Sequence, residues 1–218
     1  MNHSRFSIQR SFAESREALA IIAVSLDYRS LFSYQICDEH PIEDTIPIGS
    51  IEFCEKLLPE KPVGVVMNFY PQFLKKMIYR NINLVPLGFI KRADRWKGDW
   101  TGCYSFYHSE PVCFENEWRF YVANGTVYSV GWYQGASEDS VAPEVPVAWP
   151  KSFSGAVDFG VRVDGRVELI EAHAPYACGW YGDCGLHYVQ WQAIGWQSLK
   201  VYYSRWFFNP TIFAGDIW

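Results

Sequence analysis

Several signatures that would settle a function at once are missing from this sequence. There is no GxxxxGK[ST] phosphate loop, no GxGxxG following a strand and no GxSxG nucleophile elbow. The six cysteines, Cys37, Cys54, Cys103, Cys113, Cys178 and Cys184, form no CxxC pair, which argues against a zinc ribbon. His108, Cys113 and Cys178 sit in no arrangement expected of a thiol protease. No apolar run reaches about 18 residues, so no membrane span is expected. The first residues, MNHSRFSIQRSFAESREALAIIAV, lack the charged, apolar and small-residue order of a signal peptide. A cytoplasmic chain with free thiols is the expectation, with a Cys178–Cys184 bridge as the one pairing left open. Positive charge is scarce as well. Lys and Arg number 19 against 24 Asp and Glu, a formal net charge of -5, so binding to nucleic acid gains no global electrostatic support. A local basic cleft could still hold a nucleotide. Neither internal repeats nor low-complexity tracts occur.

Apolar residues make up 49% of the 218, enough for a sizeable core, and the length suits one large domain or two small lobes sharing a cleft. Aromatics reach 18%; packing accounts for most of them, and a platform for sugars or bases is the minority reading. Glu14 to Ile22 reads as a helix and Leu31 to Ile36 as a strand. After Gly49-Ser50, apolar Ile51, Cys54, Leu57 and Leu58 recur at helical spacing, with Ser50 as a cap. VGVV reads as a short buried strand. PQFLKKMIYR reads as a helix opened by Pro71, and Val85 to Lys91 as a strand. Lys91 to Gly102 has no periodicity and reads as a loop.

From about Cys103 the pattern turns to strands. Glu117 to Ala123 and Thr126 to Tyr133 flank Asn124-Gly125, a two-residue hairpin signal. Ala156 to Val163 and Arg166 to His173 flank Asp164-Gly165, a second one. Ala136 to Trp149 and the Gly-rich Gly179 to Gly185 read as loops, Leu186 to Trp196 as a helix, and the tail after Asn209-Pro210 as irregular. The expected fold is α+β, with an N-terminal lobe over 1–102 and an antiparallel sheet lobe over 103–218.

A two-residue turn at Asp164-Gly165 pairs Val163 with Arg166 and puts Asp158 opposite Glu171. Opposed side chains share a face at roughly 4.5–5.5 Å between Cβ atoms. Two like charges there repel unless a divalent cation lies between them; His173 shares the face. The ordinary alternative is a solvated sheet face. A set of one imidazole and two carboxylates suits zinc, manganese or iron as well as magnesium. Lys91 ends an apolar run and Lys97 lies in a Gly-containing loop, so both can reach one polyphosphate, although each alone could be an ordinary surface lysine. Glu117, Arg119 and Tyr121 alternate onto one strand face. Arg119 either pairs with Glu117 or offers its planar fork to a phosphate or carboxylate.

The order of these pieces resembles the ATP-grasp superfamily, and most closely the clade named for one arginine and two lysines, common in phages and bacteria. IPIGSIEF, NFYPQFLKKMIYR, PLGFIKRADRWKGDWTG, EPVCFENEWRFYVANG and VDFGVRVDGRVELIEAHAPYACGWYG carry it, over about Pro47 to Gly182. The resemblance implies a nucleotide cleft between two lobes. It implies that Lys91 and Lys97 contact ATP phosphates, that Arg119 contacts phosphate or an acyl phosphate, and that Glu110 to Val112 lie near adenine. Asp158 and Glu171 would hold Mg2+, or Mn2+. His173 stands where the family usually has Asn, and Lys91-Arg92 where Lys-Pro is commoner. The implied activity is ATP-dependent joining of a carboxylate to an amine, or to a thiol, through an acyl phosphate, with Lys97 and Arg119 as catalytic groups. The implied compartment is cytoplasm, that of a host if the gene is a phage's. Two other readings stand beside it: a nucleotide-binding protein without ligase activity, and an aromatic-rich carbohydrate-binding module.

Overall fold

A computed structural model describes residues 3–58, 68–86 and 105–206. The chain opens with β1 (Ser4–Gln9), α1 (Arg16–Asp27) and β2 (Phe32–Cys37). β1 and β2 pair in parallel, with α1 as the crossover between them, and β3 (Ile46–Ile48) joins β1 on its other side, again in parallel. Ser15 caps α1, its hydroxyl accepting from the Ala18 N–H at 3.2 Å. Ala18, Ile21 and Val24, three residues apart, fall close to one face of the helix and are buried together. Ser50 caps α2 (Ile51–Glu55) in the same way through the Phe53 N–H, as its position before the apolar run predicted.

β4 (Asn68–Phe69) follows, then Pro71 and a 3-10 helix, Gln72–Met77. The expected α-helix is not formed there. The buried residues are Leu74 and Met77, an i, i+3 pair that a three-residue turn already aligns, and Ile78 has returned to extended backbone. β5 (Ile82–Pro86) and β6 (Ser105–Ser109) form an antiparallel pair of their own. The VGVV strand, the loop from Lys91 to Gly102 and the tail after Asn209-Pro210 lie outside the described residues.

Four further strands, β7 (Asn116–Ala123), β8 (Thr126–Gly135), β9 (Gly155–Val161) and β10 (Val167–His173), join β4 in an antiparallel sheet of order β4-β10-β9-β7-β8. The first hairpin turns at Asn124-Gly125, where both residues have positive φ (48 and 71) and Ala123 pairs with Thr126. That is the mirror-image turn whose twist matches the strands.

The second hairpin differs from the expectation. Its loop has three residues, Val163, Asp164 and Gly165. The Gly165 N–H donates to the Arg162 carbonyl, Gly165 has φ +80, and Arg162 rather than Val163 bonds Arg166. The strands therefore leave the turn one residue out of the predicted register, with Val161 opposite Val167 and Phe159 opposite Leu169. A bulge at Ile170 then adds one residue to β10 and puts Glu171 opposite Asp158 after all. The predicted pair is present, reached by two offsets that cancel.

The long helix α3 (Gly185–Trp206) packs against α1, β7, β8 and β3. Its Trp191 indole donates to the Val122 carbonyl at 2.9 Å. One core gathers Phe6, Ile8, Ile21 and Phe53 with Tyr121, Ala156, Tyr188, Trp191 and Trp196, joining the parallel sheet to one face of the five-stranded sheet. The opposite face packs Phe120, Val157, Phe159 and Leu169 against Leu74 and Met77. Among the described residues no helix is long and apolar enough to cross a membrane. No disulfide joins Cys178 to Cys184.

Candidate functional site

Three adjacent strands bring the polar cluster together. On β7, Arg119 lies directly opposite Asp158 of β9, and Asp158 lies opposite Glu171 of β10. The three residues form a row across one face, and His173 follows two positions along β10. Arg119 grips Asp158 with a bidentate fork: Nε donates to Oδ1 at 2.7 Å and Nη2 to Oδ2 at 2.6 Å. Glu117, one of the two alternatives the sequence left open for Arg119, lies opposite Gly160, and Arg119 takes Asp158 directly across from it. His173 Nε2 lies 2.9 Å from Glu171 Oε1, 3.5 Å from Asp158 Oδ2 and 3.3 Å from Arg119 Nη2.

Asp158, Arg119 and His173 are buried, while Glu171 keeps about a quarter of its side chain open. Burial alone would raise the Asp158 pKa, but hydrogen bonds from Arg119 and His173 hold it down, to about 2. Burial likewise works against charge on Arg119 and His173. Asp158 more than offsets it for the guanidinium, and Asp158 with Glu171 does so for the imidazole. Glu117, half-buried, has its pKa raised by burial and by the nearby Asp158 and Glu171.

The segment after β10 straps across this face. The Gly179 carbonyl accepts from the Tyr121 hydroxyl at 2.6 Å, and that hydroxyl accepts from the Tyr181 N–H at 2.9 Å. The Trp180 N–H donates to Glu17, which ties the strap to α1. Tyr133 and Tyr181 stack their rings against the Arg119 guanidinium at 5.1 and 5.3 Å. At Gly131 a side chain would run into the Tyr181-Gly182 backbone, so the strap can lie this close only over a glycine. Phe114 covers the same face at Gly160, where a Cβ would collide with its ring.

The sequence-predicted residues divide accordingly. Asp158, Glu171 and His173 each offer one ligand atom, all within 4.8 Å of one another, and Arg119 adjoins them. Glu110 is exposed at the junction between β6 and β7. Its carboxylate accepts from the Asn81 backbone and side-chain amides at 3.1 and 2.7 Å. Val112 is half-buried in the same connection. Lys91 and Lys97 lie outside the described residues. Tyr133, Tyr181 and Glu17 went unread in the sequence. Tyr121 was placed on the Arg119 face by alternation, but nothing local marks the strap it holds.

The donor set, two carboxylates and an imidazole converging on one point, fits a divalent cation. Asp158 would have to share its oxygens with Arg119 or release them.

Residues 93–191 match the model of a family described as an ATP-grasp domain, the second family of the clade named for one arginine and two lysines. No curated protein matches, and no solved structure does.

Proposed function

We propose, on the match of residues 93–191 to an ATP-grasp domain model, that the chain is an ATP-dependent ligase that moves the γ-phosphoryl of ATP to a carboxylate, releasing ADP, and passes the acyl group to an amine or thiol, releasing phosphate. The observation that carries this reading is the Arg119–Asp158–Glu171–His173 constellation inside the matched segment. In this reading Asp158, Glu171 and His173 hold Mg2+ or Mn2+, which when bound neutralises charge on the transferring phosphoryl group.

Arg119 carries a permanent charge, and its guanidinium fork, with Nε and Nη2 on Asp158, leaves Nη1 to reach phosphate oxygens. Asp158 and the two tyrosine rings hold that fork before any ligand arrives, which is the preorganisation that electrostatic catalysis requires. Lys91 and Lys97 add charge to the phosphates, and the connection from Glu110 to Val112 borders the adenine. The strap at 179–182 keeps water from one side of the guanidinium. Small-molecule or peptide carboxylates and amines are the expected substrates.

Calorimetry with ATP and Mg2+ or Mn2+ tests the binding half. Metal-dependent binding is expected in the wild type, with at least a tenfold loss in Glu171→Gln; metal-independent binding, or none, sinks the proposal. ADP release is then screened against mixtures of amino acids, peptides and modified nucleotides, with mass spectrometry of the products.

A second reading, nucleotide binding without ligase activity, is favoured by the engagement of both Asp158 oxygens with Arg119 and by His173 in the usual Asn position. It predicts ATP binding with no ADP released under any substrate mixture. Against the carbohydrate-module reading, Trp118, Trp191 and Trp196 are buried and Trp132, Trp149 and Trp180 are half-buried.

A further inference from the structure

The bulge at Ile170 decides which way Glu171 and His173 point. Without the extra residue in β10, the register leaving the turn would put Ile170 opposite Asp158. Glu171 would then fall opposite Val157, and both Glu171 and His173 would turn to the apolar face. A bulge breaks the ladder and leaves backbone groups unpaired, so it persists only if something satisfies them.

Arg80 does so. Its Nη1 donates to the Leu169 carbonyl at 2.7 Å and its Nη2 to the Ile170 carbonyl at 2.8 Å. In a regular strand successive carbonyls point to opposite sides, so one planar fork reaches two in a row only where the strand is bulged. Glu168 fixes the fork from below, accepting from Arg80 Nη1 at 2.8 Å, from the Tyr79 N–H at 3.0 Å and from Arg162. Both Arg80 and Glu168 are buried at their side chains, which removes competing water.

We propose that Arg80, which touches none of Asp158, Glu171 or His173, is a positioning residue for the cation site. It selects the bulged register of β10 and thereby faces Glu171 and His173 toward Asp158. The functional meaning of this role rests on the nucleotide–metal reading, but the register itself can be read without any ligand.

The test compares wild type, Arg80→Met, and Arg80→Met combined with deletion of Ile170. Glu168 keeps Arg162 and the Tyr79 N–H in the methionine variant. Mn2+–ATP affinity is measured by calorimetry, and the His173 ring resonances are followed by NMR without ligand. Arg80→Met is expected to bind Mn2+–ATP at least tenfold more weakly and to shift the His173 ring signals. Deleting Ile170 should restore both, because a strand one residue shorter puts Glu171 opposite Asp158 with no bulge to hold.

Unchanged affinity and unchanged His173 signals in Arg80→Met overturn the proposal, as does a loss that the deletion fails to repair. If Arg80→Met does not fold, Arg80→Lys, which keeps the charge beside Glu168 and loses the fork, is read by the same criteria. Should the wild type bind no nucleotide, the ligase reading falls, and the His173 signals alone decide the role of Arg80.

Discussion

Asp158 faces a guanidinium that has lost nearly all contact with water, and it answers that charge with both oxygens. Removing the carboxylate leaves Arg119 buried and unpaired. Asp158→Ala should therefore cost about 3–5 kcal/mol of stability in urea melts. Replacing both partners, Arg119→Met with Asp158→Leu, should recover most of that loss, since an apolar pair of similar volume needs no desolvation. A double variant as unstable as the single one would show that other groups hold this row together. Gly160 is constrained from outside its strand: the Phe114 ring fills the space a Cβ would need.

At the scale of the element, β10 carries two acids in opposite circumstances. Glu171 meets solvent beside His173, whereas Glu168 is sealed under Arg80 and Arg162. Burial raises the Glu168 pKa, but the hydrogen bonds from Arg80, the Tyr79 N–H and Arg162 more than reverse this, leaving it below the ordinary glutamate value. A carboxyl depressed on folding contributes stability above its unfolded pKa, about 4.3, and loses it as pH falls through the folded value. The wild type should thus lose thermal stability more steeply below about pH 4.3 than Glu168→Gln does. Parallel melting profiles of the two proteins from neutral to acid pH would contradict the assignment.

At the scale of the molecule, one core runs from Phe6 through Tyr121 to Leu199, and the strap binds α1 through Glu17. Elements sharing a core unfold together. Far-UV circular dichroism and tryptophan fluorescence should therefore report coincident urea transitions. Separate midpoints would mean that the parallel sheet and the five-stranded sheet are independent units.

Much of this architecture was legible in the residues. Asn124-Gly125 has the chemistry of a tight hairpin, Ser50 precedes its helix as a cap does, and strict alternation put Arg119 and Tyr121 on one face. Each of these depends on contacts within a few residues, where local chain geometry decides. The pairing of β7 with β9 does not. It sets Arg119 on Asp158, 39 residues away, in place of the nearby Glu117, and only the stacking of strands chooses it. The Ile170 bulge, its Arg80 clasp and the strap over Gly131 likewise arise where distant backbone segments must satisfy one another's polar groups. Local patterning determined the strands, the turns and which chemical groups they carry. Tertiary packing decided which of those groups meet, because register between strands distant in sequence is a property of the assembled sheet.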